Sequence, residues 1–439
     1  MQQNHRPYYI LVPVMLGLAG MLYMTSCKKN DIPATGLQVL SFSPASAGVG
    51  ATLVINGANF GSSPADNIVK INGKPATVVA ATSSRLSVQV PLLAGDGKIS
   101  VETGTATASS TSDFTYMYTV STVAGDGIPS FMEGTGVAAR FDHPLGVAVG
   151  TDETLFVADG ENQRIRKITA AEVVSTIAGD GNQGFANGAG LSARFDFPFS
   201  LVVDGAGNIF VAEADNNQIR KITPNGIVST FAGDTVGGYW DATGTDARFF
   251  GPAGIAIDGD GNLYVSDDLN HRIRKITPAG VVSTLAGSGI GGYKDGYRTE
   301  AQFNSPSGIA VDRSGNVYVA DRDNNMIRKI TPDGVVSTLA GNKAGGFKDA
   351  TGTAAEFIYP LGIAVDMTGN VYVADWGNHR IRKVSPAGAV TTLAGDGQLT
   401  FGDGQASKAH FKYPSGIALD PAGIIYVADQ DNNRIRRIE

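Results

Sequence analysis

Apolar and polar positions alternate along most of this chain in short runs punctuated by glycine, asparagine and proline, which is the pattern of β-strands joined by tight turns. Beyond residue 119 the runs become periodic. The pattern Pro-x-x-aliphatic-Ala/Val-aliphatic begins at Pro144, Pro198, Pro252, Pro306, Pro360 and Pro414, always 54 residues apart. A second run, valine-serine-threonine then an apolar residue, alanine and glycine, begins at Val120, Val174, Val228, Val282, Val336 and Val390 with the same spacing, Thr391 replacing the serine in the last. An unvarying period of this length marks one supersecondary unit repeated about an axis. In the fifth copy, residues 362–365, 371–375, 380–384 and 389–394 read as four strands, with glycine-bearing hairpin turns at 366–370 and 385–388. Four antiparallel strands per unit and six units predict an all-β six-bladed propeller.

The strand count also predicts how the ring shuts. The chain ends at Glu439 after the third strand of the sixth copy, while a spare fourth strand, residues 120–124, precedes the first. That N-terminal strand is expected to complete the last blade and remove its open edge. The repeated residues, Pro-x-Gly-Ile-Ala-Val-Asp, Gly-Asn-aliphatic-Tyr-Val-Ala-Asp and Asn-x-x-Ile-Arg-Lys-Ile, closely resemble NHL repeats over residues 119–439. The resemblance implies the fold and leaves function open, since NHL proteins include RNA- and protein-binding modules and relatives of six-bladed hydrolases and lyases.

Residues 37–118 carry a different, aperiodic set of short alternating runs, predicting a small β-sandwich. Ser43-Pro44, the run Ile55 to Gly61, Ile71 to Gly73, Pro91 and the closing Phe114 to Tyr116 resemble the IPT/TIG immunoglobulin-like family. That resemblance implies a spacer or association module beside a working domain.

Six copies in one chain allow scaffold to be separated from site. A position identical in all copies serves the blade, whereas a site for one ligand on a pseudo-symmetric ring uses positions where the copies differ. The acids Asp159, Glu213, Asp267, Asp321, Asp375 and Asp429, and the asparagines three residues later, are expected to cap the turn between strands two and three. Arg166, Arg220, Arg274, Arg328, Arg382 and Arg436 are expected to bridge to these acids or to carbonyls between blades. Phe131, Phe185, Tyr239, Tyr293, Phe347 and Phe401, and the six phenylalanines ten residues after each, read as packing anchors.

The inner strands present small apolar residues to the axis, which cannot supply converging oxygen or nitrogen ligands, so no metal or other cofactor is expected. The histidines show no Ser-His-Asp or Cys-His arrangement in sequence. The slot before each proline varies instead: His143, Phe197, Gly251, Ser305, Tyr359, Tyr413. So does the slot after the turn acid, which contains Trp376, and Trp240 stands alone in the third long loop. Aromatic faces of this kind bind sugar rings or apolar peptide side chains. The expected ligand-binding residues are therefore Trp376, Tyr359, Tyr413, Phe197, His143 and Trp240, on the face bearing the long linkers.

Composition and the N-terminus refine this. A net charge of −7, with basic residues spread through the repeats, gives no footprint for nucleic acid. His5 and Arg6 precede an apolar run from Tyr8 to Met24, which Thr25 and Ser26 separate from Cys27, the sole cysteine. This reads as a signal segment over residues 1–26, and its end resembles a bacterial lipoprotein signal, implying lipidation of Cys27 and a linker over residues 27–36. Lys28 after the cysteine fits outer-membrane delivery by the same resemblance. The expected protein is thus a cell-envelope lipoprotein, exposed to the periplasm or the surface, whose propeller binds a glycan or a protein without catalysis. The alternatives are a six-bladed lyase or hydrolase and a structural adaptor in an envelope complex.

Overall fold

Residues 36–439 are described by a computed structural model, and the segment containing Cys27 lies outside them. Alternation in the first eighty of these residues produces seven strands in the order Gln38–Ser43, Thr52–Ala58, Arg85–Gln89, Lys74–Thr82, Ile68–Ile71, Ile99–Thr103 and Ala106–Ser109. The nine-residue strand Lys74–Thr82 pairs with Arg85–Gln89 over one part and Ile68–Ile71 over another, so the sheet folds about it. Leu53, Ile55, Ile71, Leu86, Val88 and Phe114, the inward members of the alternation, are fully buried between the two halves.

The remaining chain forms six blades around an axis. In blade one the strands Pro144–Val149, Leu155–Asp159, Arg164–Ile168 and Val173–Ala178 follow one another outward. The other blades repeat this order. A fifth, two-residue strand that the repeat pattern does not announce sits outside blades one, two, four and six, such as Gly134–Thr135 on Val173–Ala178. Isolated bridges, Thr243 to Val281 and Thr351 to Ala389, occupy its place in blades three and five.

The hydrophobic cores lie between blades. One cluster joins Tyr318, Ala320 and Ile327 of blade four to Phe357, Val371 and Val373 of blade five. Near the axis the blades meet on glycine. A Cβ added at Gly308 or Gly362 would lie 2.1 Å from the carbonyl oxygen of Leu361 or Ser415 in the next blade. Ser200 fills this slot in blade two alone.

Ring closure follows the strand count. Thr119–Ala124 pairs antiparallel with Arg434–Ile438, setting Val120 against Ile438 and Ser121 against Arg437. Thr119 N–H donates to the Glu439 carbonyl at 2.7 Å and Glu439 N–H donates back at 3.1 Å. Val120 joins the core between blades five and six, Val123 that between six and one. Just before this strand, Tyr118 packs against both the sandwich core and the blade six core, tying the two units together.

Candidate binding face

The repeated acids and arginines form a buried clamp in every blade. In blade five, Arg382 Nη1 donates to Asp375 Oδ2 at 2.6 Å, and both side chains are inaccessible to solvent. Asn378 Nδ2 donates to the same oxygen at 2.9 Å, and the Ile358 backbone N–H donates to Asp375 Oδ1, also at 2.9 Å. The acid therefore does not cap its own turn, as the spacing suggests. It holds the long linker that leads into the inner strand, because that linker carries the orphan N–H at the right depth. Arg382 completes the clamp on the Glu356 and Lys348 carbonyls and on Asp349, within its own blade rather than between blades. Its guanidinium lies 4.9 Å from the Phe347 ring centre and 5.0 Å from that of Phe357, so the two repeated aromatics are the faces of a cation–π sandwich. Burial pushes Asp159, Asp267, Asp321 and Asp375 up to about 6, opposed by the paired guanidinium.

A second ring of contacts positions the variable slots. The residue following each repeated asparagine is left-handed in all six copies, with φ between 51 and 56°, and it accepts the backbone N–H of the slot residue in the next blade. Gln163 holds Phe197 at 2.7 Å, Asn325 holds Tyr359 at 2.8 Å, and Asn433 holds His143 at 2.9 Å across the seam. His271 and His379 do the same through Nδ1, to Ser305 at 3.1 Å and Tyr413 at 3.2 Å. The slots themselves are also left-handed, with φ of 48° at His143 and Tyr359, 53° at Phe197 and 52° at Tyr413. Only Gly251 uses the residue that favours this conformation. Bulky side chains at such angles are uncommon and are retained where the surroundings impose them.

Four of the six expected site residues lie along one stretch of this face, across blades five, six and one. The Trp376 and Tyr413 rings pack at 4.2 Å between centres, and Tyr359 meets Trp376 edge-on at 6.4 Å. Trp376 Nε1 donates to Gln430 Oε1 at 3.1 Å. The indole is accordingly half-buried and locked, not a free surface ring. Tyr359 remains 46% exposed beside it. Lys412, adjacent to Tyr413, pairs with Asp431 at 3.6 Å, and Asp431 reaches His143 Nε2 at the same distance, while His143 Nδ1 meets Asp142 at 2.8 Å. Phe197 packs on its own neighbour Phe199 at 6.3 Å, and no ring contact among the described residues links it to the cluster. Trp240, 63% exposed, is held by a backbone bridge to Arg248 on blade three and stands apart.

His410 corrects the reading of the histidines. Its Nδ1 lies 2.7 Å from Thr400 Oγ1 and its Nε2 3.1 Å from Asp396 Oδ2, a hydroxyl, imidazole and carboxylate in series. The geometry has a repeat explanation. His410 stands where Arg140, Arg194 and Arg248 pair with Asp126, Asp180 and Asp234 in blades one to three. At the axis, the inner strands enclose a channel of about 300 Å³ lined by residues such as Val147, Ile255 and Ile363. No three His, Cys, Asp or Glu side chains converge as a metal-binding group among the described residues.

His379 gives this face a pH dependence. Its ring is buried and meets Tyr413 edge-on at 4.5 Å. Burial holds its pKa below the usual value of about 6.5, aided by Arg380 and Lys412 and opposed by Asp431. The fold thus selects the neutral ring, whose Nδ1 can accept from Tyr413. Its contribution is fully present above the unfolded pKa and is lost as pH falls below it, because the unfolded chain then binds the extra proton. With Trp240→Phe leaving Trp376 as the sole indole, acidification from pH 8 is expected to shift Trp376 emission with a midpoint below about 6.5. His379→Asn, which copies Asn325 and Asn433, should abolish the shift. An identical titration in both proteins would show that His379 does not report to the cluster.

Comparison with known proteins agrees with this architecture. The IPT/TIG domain family matches residues 37–116, the NHL repeat family residues 141–168, 357–384 and 411–438, and the teneurin NHL domain family residues 291–348. The chain is 30% identical over 285 residues to the chloroplastic protein Suppressor of Quenching 1 of Arabidopsis thaliana, covering 60% of this chain and 27% of that one. It spans only 27 to 41% of the length of the first curated relatives it matches. Among solved structures, a Bacteroides thetaiotaomicron protein of unknown function superposes with a TM-score of 0.64 at 20% identity, covering 93% of this chain and 99% of that one. A Bacteroides thetaiotaomicron auxiliary nutrient binding protein superposes with a TM-score of 0.59 at 19% identity, covering 93% and 98%.

Proposed function

We propose that this chain, an IPT/TIG domain joined to a six-bladed NHL-repeat propeller, binds a glycan or a protein without converting it. The observation that carries the reading is the packed set Tyr359, Trp376 and Tyr413. These residues occupy slots that vary around the ring, so the scaffold does not require them, yet they fall together on two adjacent blades. Locked aromatic faces lose little entropy on binding, which suits them to sugar rings or apolar side chains. The neighbouring Lys412, Asp431 and His143 supply polar partners at the edge of the same surface. The shared architecture with an auxiliary nutrient binding protein is compatible with this reading and concerns the fold alone.

The same proposal places the chain in a bacterial envelope, anchored through Cys27, with the IPT/TIG domain lifting the propeller from the membrane. Screening the purified protein on glycan and peptide arrays tests the binding. For any ligand found, Trp376→Ala and Tyr359→Ala are each expected to weaken affinity about ten-fold, or about 1.4 kcal/mol. Cys27→Ser in cells should move both protein and binding out of the membrane fraction. Unchanged affinity in both aromatic variants would remove the site from this face, and an unchanged distribution of the serine variant would remove the anchor.

A further inference from the structure

Opposite the binding face, the hairpin turns of blades four, five, six and one and the IPT/TIG domain enclose a cleft of about 860 Å³. That volume is ample for a small molecule, and domain junctions are preferred places for such sites. Three independent features mark it. The first is a break in the repeat. The residue after the aspartate that opens the hairpin between the first and second strands (Asp204, Asp258, Asp312, Asp366, Asp420), or after Gly150 in its place, is Thr151, Gly205, Gly259, Arg313, Met367 and Pro421 in blades one to six. The four that line the cleft carry side chains, and the two blades that do not reach it carry glycine. By the criterion that separates scaffold from site elsewhere on the ring, this slot is not dictated by the scaffold.

The second is a set of open polar groups. In blades two to five the turn aspartate uses one oxygen on its own backbone and the other on an asparagine side chain, as Asp312 does with Asn316 at 2.8 Å. In blade six Ile424 replaces that asparagine, so Asp420 bonds only through Oδ1, to Gly423 and Ile424 N–H, and Oδ2 is left to the cleft. Arg313 has no acid partner among the described residues, and the Lys383 ammonium is engaged only over the Tyr372 ring at 5.8 Å. Lys74 reaches the cleft from the IPT/TIG side, held by the Leu92 carbonyl at 3.2 Å.

The third is strain. Leu93 lines the cleft with φ of 52°, a left-handed conformation uncommon for a bulky residue. It packs against blade six, where a Cβ added at Gly423 would lie 3.3 Å from its Cδ1. Strain of this kind collects at ligand clamps.

We propose that this cleft binds a small organic anion with an apolar body. Its negative group would be met by Arg313, Lys383 and Lys74, three cations against the two carboxylates, Asp366 and Asp420, that line the cleft, and its apolar part by Leu93, Met367 and Leu419. The site is separate from the aromatic face, so each stands or falls alone. The probe is 1-anilinonaphthalene-8-sulfonate, titrated into the full chain and followed by fluorescence. One saturable site per chain is expected. Arg313→Gln should weaken it at least five-fold and Arg313→Glu abolish it, with the thermal midpoint of both variants unchanged. Nile red, which is uncharged, should bind wild type and Arg313→Gln alike. Binding that never saturates, or equal affinity for the sulfonate in wild type, Arg313→Gln and Lys383→Gln, overturns the proposal. Parallel weakening of Nile red would show that the cleft had been distorted and that Arg313 does not select charge.

Discussion

Replacing residues 119–125 by a seven-residue glycine–serine linker is expected to cost the propeller several kcal/mol and to lower its thermal midpoint by 10 °C or more. The segment lies at the start of the propeller in sequence but serves as the fourth strand of its last blade. It removes the exposed edge of blade six, and it buries Val120 and Val123 in two different inter-blade cores. Each buried valine contributes about 1.5–3 kcal/mol, and each ladder hydrogen bond about 0.5–1.5 kcal/mol. Against a total stability of about 5–15 kcal/mol, that loss leaves little margin. The strand Arg434–Ile438 would in addition become an open edge able to pair with another copy, so aggregation on heating should accompany the lower midpoint. Calorimetry and light scattering during a thermal ramp would register both. A midpoint within a degree or two of the parent protein would mean that the ring holds without its closing strand.

Arg382→Met is expected to destabilise the protein by about 3–5 kcal/mol, because it leaves the Asp375 carboxylate buried without the cation that hydrogen-bonds to it. Asp349, the other acid on this guanidinium, is 42% exposed in its side chain and can be hydrated. The companion variant decides the mechanism. In Asp375→Asn/Arg382→Met the uncompensated charge is gone, while an amide oxygen can still accept from Ile358 N–H. The double variant should regain most of the lost stability, as buried ion pairs replaced whole often do. Urea midpoints measure both. If the double variant is no more stable than the single one, what matters is the packing of the guanidinium between Phe347 and Phe357, and the charge pair is incidental.

The fold was legible because its determinants are local and repeated. Alternation in each run, glycine in each hairpin and a constant period are all visible without knowing what touches what, and counting strands from Val120 to Glu439 was enough to predict the closure. The clamp was half legible. Asp375 and Arg382 announce themselves by repetition, but the N–H that the acid serves belongs to Ile358, in a linker whose path no pattern encodes. The left-handed slots were hidden, since five of the six hold side chains where glycine would have been the signal. That Tyr359, Trp376 and Tyr413 meet could have been derived from the period, because slots 54 residues apart occupy adjacent blades. The cleft had no such route. It joins residues near Leu93 to the turn at Thr151 and to three turns more than two hundred residues away, across a junction between a periodic and an aperiodic segment. Thr400 and His410 went unseen for the opposite reason: they fill repeated positions with unrepeated residues, beside an Asp396 that recurs as Asp126, Asp180 and Asp234.

The closing strand has a mechanical meaning as well. The chain enters the ring at Thr119, beside the terminal Glu439, and runs antiparallel to the last strand. A pull on the N-terminal side, directed along that strand, would load the ladder in shear. The pairs from Val120 to Ala124 would share the tension and would have to fail together. The same pull directed across the sheet would peel them one at a time, starting with the bonds to Glu439. The seam is therefore strong in one direction and weak in another.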